Sequence, residues 1–75
     1  MTSPFTLSIE PTGKPAFVHG FHLGTDESVA RLVAEEMFHA RNKAGNHTTT
    51  VALIRDHKFI SFYDGQWSRP IEQEV

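Results

Sequence analysis

The sequence predicts an α+β domain of two layers, one helix packed on an antiparallel sheet of four to five strands, ordered β-β-α-β-β(-β). Three observations carry this. Residues 5–10 alternate apolar and polar, one central stretch has a helical apolar period bracketed by start and stop signals, and two β-branched or aromatic runs follow with two residues between them. At 75 residues without a repeat or a low-complexity linker, the chain is expected to form one domain over 1–75, with 71–75 frayed.

Phe5, Leu7 and Ile9 alternate with Thr6, Ser8 and Glu10, the two-residue period of a strand with one buried face. Pro11-Thr12-Gly13-Lys14-Pro15 then concentrates turn formers, so a hairpin is expected, with a second strand over 16–23. Phe17, His19, Phe21 and Leu23 share one side of that strand, and Gly20 invites a bulge or bend. The helix is expected over 26–44. Thr25 is placed as its N-cap, Asp26 and Glu27 lie at the positive end of the dipole, and Lys43 with Gly45-Asn46 marks the stop. On a helical wheel Val29, Val33, Met37, Ala40 and Ala44 face the sheet, with Ala30 and Leu32 at the edges. Phe38 lies on the opposite side, among Arg31, Glu35, Arg41 and Asn42. Glu27 with Arg31 and Glu35 with His39 form i, i+4 pairs on the solvent side.

The runs 48–55 and 58–63 form a hairpin across Asp56-His57. Regular pairing sets Arg55 opposite Lys58, Leu53 opposite Ile60 and Val51 opposite Phe62, which gathers four large apolar side chains on one face as core. Thr50, Ala52, Ile54, Phe59, Ser61 and Tyr63 then share the other face, and a slip of one residue would exchange the two. Asp64-Gly65 is a strong turn signal, after which residues 66–69 can return as a last strand before Pro70. This order of elements resembles that of many small bacterial and phage proteins, a likeness of architecture that carries no functional residues.

Composition narrows the function classes. The nine acidic residues outnumber the seven Lys plus Arg, for a net charge of −2, which argues against a dominant phosphate-binding surface. Cysteine is absent, so disulfides and thiolate metal ligands are excluded, and with no leader-like or membrane-spanning run the expected location is cytoplasmic. The five histidines, His19, His22, His39, His47 and His57, lack the spacing of a metal site, and no nucleophile elbow, phosphate loop or paired carboxylates are found. The expectation is therefore a non-enzymatic protein with no cofactor and no metal.

One helix can cover only one face of a sheet, and a chain this short buries only about 60% of the surface that it exposes when unfolded. The uncovered face is thus expected to serve as a contact surface, for a second copy of the chain as a homodimer or for another protein, through Ile54, Phe59 and Tyr63, with Phe38 as a further anchor on the helix. The alternative is a single-stranded nucleic-acid-binding module, which would stack bases on Phe59 and Tyr63 beside Arg55 and Lys58. Asp56, Asp64, Glu72 and Glu74 offset those cations, which makes nucleic acid the weaker reading.

Overall fold

A computed structural model describes residues 3–19 and 23–68. Five strands and one helix occur in the expected order: β1 (Thr6–Pro11), β2 (Phe17–His19), α1 (Glu27–Lys43), β3 (Thr48–Arg55), β4 (Lys58–Tyr63) and β5 (Trp67–Ser68). All strand pairs are antiparallel, in the spatial order β2-β1-β3-β4-β5. The helix crosses back over the sheet and rests mainly on the central strand β3, with a lesser contact on β4. This is the two-layer α+β arrangement that the alternation and the helical period predict.

The core forms where the alternating faces of β1 and β3 meet the helix. Phe5 just ahead of β1, Leu7 and Ile9 within it, and Val51 and Leu53 from β3 are fully buried together with Ala30 and Ala34. Backbone bonds from Phe5 N to Gly24 O (2.8 Å) and from Leu23 N to Phe5 O (3.0 Å) tie the segment that leads into the helix to the start of β1. The hairpin β1–β2 turns through Thr12 and Gly13, where Gly13 has φ of +74° and Lys14 N donates to Pro11 O at 3.3 Å, as a type II turn requires. Of the second strand expected over 16–23, Phe17–His19 is strand and 20–22 lie outside the described residues.

Two expectations about the helix are corrected. Asp26, not Thr25, is the N-cap, its Oδ1 accepting from Ser28 N at 2.9 Å, so the helix starts at Glu27. It is also rolled. Ala30 and Ala34 are fully buried and Phe38 packs against the core; of the residues expected to face the sheet Val33 and Met37 also pack against it, whereas Val29 is 48% exposed, Ala40 and Ala44 are exposed, and Leu32 at the edge is 60% exposed. The reason is distance: two alanines one turn apart let the helix backbone approach β3 closely, and Phe38 continues the same line one turn further on. A wheel weighted by hydrophobicity favours Val29 and sets Ala30 at the edge; close packing favours the small side chains.

The hairpin β3–β4 holds the main difference from the expected register. Asp56 and His57 make the tight connection, both with positive φ (55° and 62°), and Arg55 pairs with Lys58 and Ile54 with Phe59. A β-bulge then inserts Ile60, so that Leu53 pairs with Ser61, Ala52 with Phe62 and Val51 with Tyr63. Ile60 stays on the helix side, packed on the core, while every later residue of β4 changes face. Tyr63 and Ser61 become buried, at 7% and 2% exposure, and Phe62 moves to the face away from the helix. In β5, Trp67 pairs with Tyr63 and Ser68 with Phe62, and Arg69 and Pro70 lie outside the described residues.

Candidate functional site

The strand registers decide which side chains share the open face of the sheet. Val18 comes from β2, Thr6, Ser8 and Glu10 from β1, Thr50, Ala52 and Ile54 from β3, Phe59 and Phe62 from β4, and Ser68 from β5. At its centre Phe59 and Phe62 stack with ring centroids 5.4 Å apart and planes at 25°. Their closeness follows from the bulge, which brings residues 59 and 62 to the same face although an odd separation would otherwise send them to opposite ones. Phe59 is 53% exposed and Val18 48%, while Ala52 forms the floor beneath the rings. A hollow of about 180 Å³ runs between Phe59, Phe62, Ala52, Thr50, Ser8 and Glu10, and a second of about 550 Å³ lies beyond Phe59, toward Val18, Ile54 and Thr6. Among the described strand residues on this face Glu10 is the single charged one.

Ile54 and Phe59 thus lie where the sequence places them, and Tyr63 and Phe38 do not. Tyr63 is under the helix, its hydroxyl 3.0 Å from His39 Nε2, its ring edge-on to Phe38 at 5.2 Å and tilted on Trp67 at 5.0 Å. Phe38 is a partly buried member of that cluster and not an outward anchor. The four residues of the nucleic-acid alternative are likewise divided. Phe59 looks out, Tyr63 is buried, and Arg55 lies on the helix side with its guanidinium 4.8 Å from the centroid of the buried Phe5 ring, above which it acts as a lid. Lys58, opposite Arg55, is exposed beside it, away from the stacked phenylalanines.

Phe62, which is half-buried and completes the aromatic pair on the open face, and Trp67, which closes the seam beneath the helix, are the two residues that sequence reasoning missed. No glycine marks the bulge, so the alternation across β4 carries no signal for either. The seam itself is a polar latch. Arg31 pairs with Glu27 at 2.8 Å as expected, and also donates to Ser61 Oγ at 3.3 Å and lies 4.7 Å from the centroid of the Trp67 ring. Glu35 accepts from Trp67 Nε1 at 2.7 Å instead of pairing with His39. Among the described residues no buried side-chain nitrogen or oxygen lacks a partner. This seam holds the helix to β4 and β5.

Among the described residues no three His, Asp or Glu side chains come together as a group that could hold a metal ion. None of their helices is long and apolar enough to cross a membrane. Compared with family models, curated proteins and solved structures, the chain matches none.

Proposed function

We propose that this protein is a non-enzymatic interaction module of the cytoplasm that self-associates as a homodimer through the open face of its sheet. The observation that carries the reading is the stacked pair Phe59–Phe62 beside Ile54 and Val18, on a face that no element of the described residues covers. Exposed Phe59 and Val18 beside half-buried Phe62 and Ile54, with Glu10 the one charge among the described strand residues of this face, are the composition of an interface centre, and a two-fold dimer would bury the same patch on both copies. A stable dimer needs about 800 Å² from each partner, a modest part of the 5415 Å² that the chain exposes. The thin core of so short a chain gives self-association a stabilising role as well.

Sedimentation at tens of micromolar tests this directly. The expected result is a dimer that Phe59→Asp converts to a monomer with an unchanged circular-dichroism spectrum, because residue 59 is half exposed and outside the core. A wild-type protein that stays monomeric, with open-face amides exchanging as fast as those of the loops, overturns the proposal.

A further inference from the structure

A third concavity lies away from the stacked phenylalanines, where the β1–β2 turn meets the carbonyl end of α1 and the loop into β3. It measures about 580 Å³, within the range of small-molecule sites, and its lining includes Lys14, Arg41, His47, Phe17 and Thr12 but no carboxylate. On a chain of net charge −2, three basic side chains from three separate segments converge there. Arg41 is fixed in advance. Its Nε donates to Thr48 Oγ1 at 2.8 Å and its guanidinium lies 5.4 Å from the centroid of the Phe17 ring. Thr48 is itself buried and held, its N bonded to Asn42 Oδ1 and its Oγ1 to Asn46 O, both at 3.0 Å.

The carbonyl end of a helix attracts cations, which accounts for Arg41 and Lys43 in the last turn. It does not account for Lys14 and His47, which arrive from other segments. The carbonyls of Phe38, Ala40, Arg41 and Asn42 already accept hydrogen bonds from Asn42 Nδ2 and from the amides of Ala44, Asn46 and Gly45, which weakens their repulsion of an anion. Among the described residues the terminal nitrogens of Arg41, the Lys14 ammonium and the His47 ring make no ion pair or hydrogen bond. Phe17, at 41% exposure, adds a partly open aromatic surface.

We propose that this groove binds a small organic phosphate that carries a flat ring. The terminal nitrogens of Arg41, with Lys14 and His47, hold the phosphate, and the ring rests against Phe17. The site is independent of the self-association surface. Titration of the isotope-labelled full chain with adenosine monophosphate, and separately with inorganic phosphate, followed by amide chemical shifts, tests it. The expected shifts fall on 12–17 and 45–48, with the nucleotide binding roughly tenfold tighter than phosphate. Lys14→Glu, at an exposed turn position, is expected to weaken nucleotide binding roughly tenfold while the rest of the spectrum is unchanged. Phe17→Leu is expected to remove the advantage of nucleotide over phosphate. Absence of shifts in the groove at millimolar nucleotide, shifts that persist equally in Lys14→Glu, or equal affinity for nucleotide and phosphate in the wild type would each overturn the proposal.

Discussion

The two ends of β4 behave differently although their sequences look alike. Around Lys58 and Phe59 the strand pairs as simple alternation dictates, and Phe59 faces solvent. Beyond Ile60 the alternation is reversed, so Phe62 joins Phe59 outside and Tyr63 goes inside, under Phe38 and His39. One inserted residue therefore builds two features together: an aromatic pair on the open face, Phe59 exposed and Phe62 half-buried, and a latched aromatic seam beneath the helix. The comparison shows how a single bulge can make both a surface and a core out of one aromatic strand.

The largest test of this contrast is Tyr63→Ala, expected to cost about 3–5 kcal/mol because it leaves a cavity beneath Phe38 and Trp67. Urea unfolding reads it as a lowered midpoint at unchanged slope. Next, Ala34→Leu is expected to cost about 1–3 kcal/mol by forcing the helix off β3, whereas Leu32→Ala on the exposed side is expected to change stability by less than about 0.5 kcal/mol. If Ala34→Leu were tolerated without cost, the helix would be rolled as the wheel has it, with Ala34 away from β3. Smaller again is Phe59→Ala, expected to lower the stability of the monomer by about 1 kcal/mol through loss of its stack on Phe62. Should it cost more than Tyr63→Ala, β4 would run without its bulge. The smallest effect sits in the turn that both ends share: His57→Gly relieves a left-handed conformation at φ of 62° and is expected to raise stability by about 0.5 kcal/mol in thermal melts.

Much of this was legible from local rules. The alternation of Phe5, Leu7 and Ile9, the helix bounded near Asp26 and Gly45, and the two-residue turn at Asp56-His57 each follow from short-range chemistry, and together they specify one helix on an antiparallel sheet. Ile54 and Phe59 were readable as open-face residues for the same reason, since they lie within two residues of a turn that sets their register. The positions of Tyr63, Phe62, Phe38 and Trp67 were not readable, because each depends on contacts between segments distant in the chain.

What the amino-acid order alone determined is the set of elements, their sequence and the buried faces of β1 and β3, because a strand or helix period is a property of neighbouring residues. What only the tertiary structure decided is the roll of α1 and the face of the second half of β4. Both are settled by packing across the two layers: Ala30 and Ala34 let the helix come close, and Tyr63 finds both a place under it and a partner for its hydroxyl in His39. Local alternation cannot encode that partner, since the gain from burying and pairing Tyr63 exists only once the helix lies over it.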